Sequence, residues 1–387
     1  MTKILVVVGT RPEAIKMAPL IERLRADPDI RTSLCVTGQH RTMVDGVFEL
    51  FGIRPDLDLD LMKPGQTLTD ITAGTLRGLE LVLERDRPDR ILVHGDTTTA
   101  MAAGLAGFYA RIPVAHVEAG LRTGNLQAPW PEEMNRCFID LVADRLFAPT
   151  ESARRNLLAE GRPDSAILVT GNTVVDALLA TRERLRADTR LREGLEERFT
   201  FLDAGRQAGR AMVLVTAHRR ESFGEGFRRI CEALARLGRR DDVDIVYPVH
   251  LNPNVSGPVR ALLGGWKRIH LIEPVDYRSF VHLLDRCAVV LTDSGGVQEE
   301  APSFGKPVLV MRDETERREA VEAGVARLVG SDPDAIVAAC EALLDRRSGT
   351  EPAAVNPFGD GLASRRILTA LRAAHGLPAE PIAPFRP

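Results

Sequence analysis

Short runs of Val, Ile, Leu and Ala alternate with longer amphipathic stretches along almost the whole chain. That alternation constrains the fold more than any single motif. The apolar runs predict strands at 4–8, 33–37, 90–94, 113–117, 145–148 and 166–170. The stretches between them predict helices at 13–26, 43–51, 68–85, 97–110, 132–143 and 151–160. Continuous apolar runs of this length fit strands covered on both faces, as in a parallel sheet. Strand and helix in strict alternation then give an open, doubly wound sheet. Residues 56–60 alternate Asp and Leu with period two; they read as a small edge strand and carry little weight as a D-x-D metal pair.

After Gly171 the pattern breaks. Residues 173–198 are helical and Arg-rich with no strand of their own, and the Gly/Ala/Gln-containing 203–210 follows, so the domain joint falls near 170–210. The alternation restarts with strands at 211–216, 244–249, 268–272, 288–291, 307–311 and 326–329, and helices at 225–237, 278–287 and 334–344. A last helix covers 359–374, and the Pro-rich 377–387 reads as a mobile tail. The 387 residues suffice for two domains of ordinary size. The fold class predicted is α/β: two Rossmann-like doubly wound domains, 1–170 and 171–360, facing a central cleft. Ligands bind where the carboxyl ends of such sheets open.

Composition excludes several partners. With 44% hydrophobic and 27% charged residues and a net charge of −3, the chain has no electrostatic footprint for nucleic acid or an anionic membrane surface. No apolar run approaches the ~20 residues of a membrane span. The opening MTKILVVVGT is too short for a signal peptide and reads as a first strand. The five cysteines are scattered with no C-x-x-C pair, as expected of buried thiols in a reducing, cytoplasmic compartment.

The unusual residues stand immediately after the strands. Gly9-Thr10-Arg11-Pro12-Glu13 follows the first, with Lys16 about one turn into the helix; Arg11 and Lys16 can reach an anion over the sheet edge. Pro12 suits the first helical position. His94-Gly95-Asp96 follows the strand at 90–94, where Asp96 either caps the next helix or acts in chemistry. Glu118 ends a buried strand, where a carboxylate is costly unless paired or used. Glu132 and Glu133 open a helix, and one of them serves its dipole. In the second half His218 precedes Arg219 and Arg220, His250 stands in YPVHLNP, and Arg317 follows the strand at 307–311. The stretch VVLTDSGGVQEEAPSFGK (289–306) joins a strand, an Asp293-Ser294-Gly295-Gly296 turn and a helix start near Val297. Two glycines and a positive helix N-terminus suit a phosphate or diphosphate. Dinucleotide, Walker, H-E-x-x-H and G-x-S-x-G signatures are absent. Three carboxylates and a histidine opposite an anion-binding turn point to acid–base chemistry on a substrate held by its phosphates.

These segments together resemble the bacterial non-hydrolysing UDP-N-acetylglucosamine 2-epimerases. The resemblance is carried by GTRPEAIKMAPL (9–20), VTGQHR (36–41), VHGDTTTAMA (93–102), HVEAGLRTG (116–124), PWPEEMNR (129–136), TGNTVVDAL (170–178), AHRRESFG (217–224), YPVHLNPNV (247–255), the run from 291 to 317, EAGVARLVG (322–330) and NPFGDG (356–361). It implies a GT-B-like fold in which the final helix, 361–374, joins the N-terminal domain, with 375–387 as a tail. It implies catalytic roles for Asp96, Glu118, Glu132 and His218, and UDP binding by Arg11, Lys16, Val275, Phe280, Ser294, Gly295, Gly296, Glu300 and Arg317. Glu300 would accept from the ribose hydroxyls and Ser294–Gly296 would hold the diphosphate. Gln39 and His250 match a second, activating UDP-N-acetylglucosamine site of many relatives, whereas Thr42 and Gly65 differ from residues found there. Arg318 replaces a proline usual after Arg317.

The reaction implied is reversible inversion at C2, by elimination of UDP to 2-acetamidoglucal and re-addition, with no metal, no NAD and no other cofactor. A homodimer feeding surface-polysaccharide synthesis is implied as well. Two other readings stay open from the residues: a GT-B glycosyltransferase using a UDP-sugar donor, and a 2-epimerase of a UDP-diacetamido-uronic acid. Base and acid among the three carboxylates are not distinguished.

Overall fold

The computed structural model describes residues 1–38, 41–63, 65–219, 223–346 and 355–387. They form two compact units, Met1–Ala177 with Phe358–Pro387, and Leu178–Pro357.

The first unit is built on seven strands: β1 (Thr2–Val8), β2 (Ile30–Val36), β3 (Leu57–Asp58), β4 (Arg90–His94), β5 (Val114–Val117), β6 (Arg145–Ala148) and β7 (Ile167–Val169). Their order is β3-β2-β1-β4-β5-β6-β7 and every pairing is parallel. Residues Ile4 to Val8 of β1 are all buried, as the apolar run requires of a strand with helices on both faces. Each such aliphatic side chain contributes about 1.5–3 kcal/mol on burial. The sheet reverses direction between β1 and β4, and the loops leaving those two strands flank the point where such sheets bind ligands.

The second unit has six strands: β8 (Ala211–Thr216), β9 (Val243–Pro248), β10 (Ile269–Ile272), β11 (Val289–Thr292), β12 (Val308–Val310) and β13 (Ala326–Leu328). The order β10-β9-β8-β11-β12-β13 repeats the same winding, again all parallel, with its reversal between β8 and β11. The expected α/β class, with two Rossmann-like parallel sheets, is what the chain adopts.

Three local features differ from the sequence reading or add to it. In the joint region helix Thr200–Gln207 covers most of 203–210, following a break at Asp188, which caps helix Thr189–Arg198 through its side chain. Helix Pro253–Leu263 was not expected, because Gly257 and Pro258 argue against it; Pro253 in the first turn and the Asn252 cap start it despite the internal proline. The tail at 377–387 is tied down at Phe385, whose amide donates to the Val169 carbonyl at 2.9 Å. Its ring is buried, with Arg366 above it. Composition pointed to mobility, but one aromatic anchor on the β7 edge decides.

The last helix, Ala363–Ala374, packs in the first unit. Asp176 accepts from the amides of Ala363 and Ser364, and Arg372 pairs with Asp27 and Asp29. No described helix is long and apolar enough to cross a membrane.

Candidate active site

In the first unit the loops after β1, β4 and β5 carry the expected acids and cations. Helix Arg11–Ala26 begins two residues earlier than expected, so Arg11 is its first residue and Pro12 its second. Lys16, one turn further, sends its ammonium to Glu118 Oε2 at 2.5 Å, and Asn172 Nδ2 donates to the same oxygen at 2.8 Å. Glu118 follows β5 with φ +68°, a left-handed conformation that disfavours a side chain and is found where a residue must be aimed. Two residues on, Gly120 has φ +85° and no room for a Cβ, which would lie 2.4 Å from the Ala153 carbonyl oxygen.

Asp96 follows the glycine turn after β4. Its carbonyl accepts from Asn135 Nδ2 at 2.8 Å and its carboxylate takes Arg136 at 2.5 Å. Thr97, not Asp96, caps helix Thr98–Tyr109 through its side chain, so the capping role considered for Asp96 is filled by its neighbour. Burial raises the Asp96 carboxyl above its ordinary value; Arg136 opposes this, Glu118 and Glu132 add to it, and Lys16 opposes it. Glu132 is the first residue of helix Glu132–Val142 and makes no hydrogen bond among the described residues, whereas Glu133 is buried and accepts from the amides of Thr123 and Gly124. Of the pair, Glu133 is the structural one.

Three buried groups behind these acids were not singled out by sequence reasoning. Glu13 accepts from the Gly9 and Thr10 amides and from the hydroxyls of Thr10 and Thr97, tying the β1 and β4 loops together. Burial pushes its carboxyl up to about 7 despite those donors. His94 is buried with neither ring nitrogen hydrogen-bonded among the described residues, and its Nε2 stands 3.8 Å from Glu118 Oε2. Burial holds it down at about 3, so it is neutral. His116 pairs with Asp140.

In the second unit the register of β8 with β11 sets Thr216 beside Thr292. The next residues meet accordingly: buried Asp293 accepts from the amides of His218 and Arg219 at 2.7 and 2.8 Å. The His218 ring stacks on His250, with centroids 5.6 Å apart. Burial lowers the His218 pKa, Asp293 opposes this, and His250 and Arg219 add to the fall.

Helix Gly295–Glu300 starts two residues earlier than the sequence suggested, with Ser294 before it. Neither Gly295 nor Gly296 has a positive φ, so their value is space. A Cβ on Gly295 would lie 3.1 Å from Glu316 Oε1, 3.5 Å from the Arg317 guanidinium carbon and 3.7 Å from Arg219. Two guanidinium groups thus flank the bare backbone, and a carboxylate occupies the spot: Glu316 meets Arg312 at 2.8 Å, Arg219 at 3.3 Å and Arg317 at 3.5 Å. Burial alone would raise Glu316, but Arg317, its backbone contact and Arg312 hold it down at about 2. Arg317 also donates to buried Glu299 at 2.6 Å. Glu300 is buried and accepts from the Tyr277 hydroxyl at 3.1 Å. Phe280 lies one turn along the same helix, Tyr277–Arg286, and Val275 just precedes its Asp276 cap. Gln39 lies outside the described residues.

Most of what sequence reasoning passed over lay inside segments already marked: Asn135 and Arg136 in PWPEEMNR, Asn172 in TGNTVVDAL, Asp293 in LTDSGG. The signal was present, but a lone Asn or Arg has no spacing that points to its partner.

Each unit is a doubly wound parallel α/β sheet of the class that binds ligands beyond the carboxyl ends of its strands, the first with acids and cations there and the second with an arginine-flanked glycine backbone. The model of the family described as UDP-N-acetylglucosamine 2-epimerase matches residues 22–372. A probable UDP-N-acetylglucosamine 2-epimerase of Ralstonia nicotianae is 58% identical over 96% of this chain and 99% of its own length. The Yersinia pestis UDP-N-acetylglucosamine 2-epimerase is 56% identical over 96% and 98%. The crystal structure of the Neisseria meningitidis UDP-GlcNAc 2-epimerase bound to UDP-GlcNAc superposes with a TM-score of 0.88 at 47% identity, over 96% of this chain and all of that one. The chain belongs to the UDP-N-acetylglucosamine 2-epimerase family and is an isomerase.

Proposed function

We propose that the protein interconverts UDP-N-acetylglucosamine and UDP-N-acetylmannosamine by eliminating and re-adding UDP. The observation that carries the reading is the gathering of Asp96 and Glu118 with Lys16 and Arg136 at the carboxyl ends of β4 and β5, with the charge of Glu132 felt at Asp96. The C2 hydrogen has no adjacent carbonyl to acidify it, so direct deprotonation is unfavourable. In elimination a carboxylate takes the C2 proton, the C–H electron pair becomes the C1–C2 double bond, and the C1–O pair leaves with UDP. Re-addition returns a proton to the opposite face of C2 as the phosphate oxygen re-attacks C1. Glu118 and Glu132 move the protons, and Asp96, held by Arg136, orients and tunes them.

Arg11, Lys16, Ser294, Gly295, Gly296 and Arg317 bind the diphosphate and stabilise it as it departs. Glu300 accepts from the ribose, and Val275 and Phe280 border the uracil. His218, neutral in the free protein, donates a hydrogen bond to the leaving phosphate, whose charge favours its protonation. Gln39 and His250 are candidates for an activating second nucleotide sugar.

The protein acts in the cytoplasm, as a homodimer, supplying an aminosugar nucleotide to surface-polysaccharide synthesis. A self-associating surface is supported by Leu81, Phe108 and Tyr109, which are 70%, 59% and 70% exposed on the neighbouring helices Leu68–Asp86 and Thr98–Tyr109, an apolar group that water solvates poorly. Incubation with UDP-N-acetylglucosamine alone tests the activity. An epimerase brings it to a mixture of two UDP-sugars; a transferase leaves it unchanged for want of an acceptor.

A further inference from the structure

Behind the two loops that carry Asp96 and Glu118 lies a buried His–Asp pair. His116, on β5, is fully buried, with Nδ1 2.6 Å from Asp140 Oδ1 and Nε2 2.7 Å from the Gly95 carbonyl oxygen. A carbonyl oxygen only accepts, so Nε2 carries a hydrogen. Asp140 Oδ2 accepts from the Gly120 amide at 3.1 Å and from Arg122 at 2.8 Å. Burial would raise the Asp140 carboxyl, but His116 and Arg122 hold it below its ordinary range. The Asp140 carboxylate thus links the His116 ring to the Gly120 amide.

The placement of this pair matters more than its existence. Gly95 immediately precedes Asp96, and Gly120 stands two residues after Glu118. The Gly95 amide is fixed too, donating to the Val117 carbonyl at 2.9 Å. One His–Asp pair thus holds the backbone beside both acids. Burying polar groups is costly even when they are hydrogen-bonded to each other, and a packed apolar pair in their place is often neutral or stabilising, so stability alone is a weak reason to keep them. The charged and titratable groups around His116 are few: Asp140 from helix Glu132–Val142, Arg122 reached through Asp140, neutral His94 from β4, and Glu118 past the end of its own strand with Lys16 from helix Arg11–Ala26.

We propose that His116 and Asp140 are positioning residues for the reaction, fixing the Gly95–Asp96 peptide and the turn after Glu118. The inference rests on the reading of Asp96 and Glu118 as reaction groups.

His116→Gln can keep the donor to Gly95 or the link to Asp140 but cannot span both. Turnover is expected to fall about tenfold or more, as small misplacements of reacting groups do, with UDP affinity within about twofold of the parent. If His116→Gln does not fold, Asp140→Asn takes its place with the same expectation. Unchanged turnover per folded molecule, even with a lower Tm, or a loss of UDP affinity in step with the loss of turnover, overturns the proposal. If Asp96→Asn and Glu118→Gln themselves retain turnover, the reading of the acids fails; if they abolish it while His116→Gln does not, only the positioning role fails.

Discussion

Lys16 Nζ lies 2.5 Å from Glu118 Oε2, joining the first helix of the chain to the acid that ends β5. The sequence suggested a phosphate contact for Lys16 and a chemical role for Glu118; the structure makes them partners. Both side chains are largely buried, at 14% and 10% exposure. Breaking such a pair leaves an uncompensated charge at a cost of roughly 3–5 kcal/mol. Lys16→Met should therefore destabilise by that order in urea unfolding. Lys16→Met with Glu118→Gln should be less destabilised than the sum of the single changes. Strict additivity would mean the two side chains do not support each other.

Asp96 has one strong cation, Arg136, working against its burial. Arg136→Met should raise the Asp96 pKa further and shift the acid limb of kcat/KM to higher pH. The check is a pH–rate profile from about pH 5 to 9; an unmoved limb would take Asp96 out of the titration that controls the rate.

Glu13 makes stability depend on pH in an identifiable direction. Its carboxyl rises from 4.5 to about 7 on folding. Below the lower value both states hold the proton. As pH rises through the higher one the folded form must ionise a buried group, so the stability contributed at low pH is lost and the loss levels off above about 7. Glu13→Gln lacks this loss. Relative to the parent, it should gain stability between about pH 5 and 8, by at most about 3 kcal/mol. Parallel stability curves in chemical denaturation would contradict this.

Glu316 sits among Arg312, Arg219 and Arg317 over the bare backbone of Gly295, where an incoming diphosphate would need the same guanidinium groups. Glu316→Gln should tighten UDP binding about two- to fivefold by calorimetry, in keeping with the modest strength of part-exposed ion pairs. Weaker binding would mean that Glu316 orients the arginines for the ligand.

How far the fold could be read depended on periodicity. The edges of β4, β6 and β8 fall at the predicted residues, because continuous apolar runs between turn residues leave little choice. Helix Pro253–Leu263 was missed because a proline inside a helix argues against it locally, while packing decides for it. The acids at strand ends were legible because a carboxylate after a buried strand is anomalous by itself. Arg136, Asn172 and the His116–Asp140 pair were not, because their meaning lies in contacts across 18 to 54 residues, such as Asn172 with Glu118 or Arg122 with Asp140. Gly295 was read as a bare approach to an anion, whereas the second guanidinium beside it, Arg219, only became visible through the β8–β11 register.

Inversion of C2 by proton removal and return exchanges its hydrogen with solvent. It is tested by incubating the protein with UDP-N-acetylglucosamine in D₂O and following C2 by NMR. The expected product is UDP-N-acetylmannosamine carrying deuterium at C2. An epimer that keeps its original C2 hydrogen would contradict it.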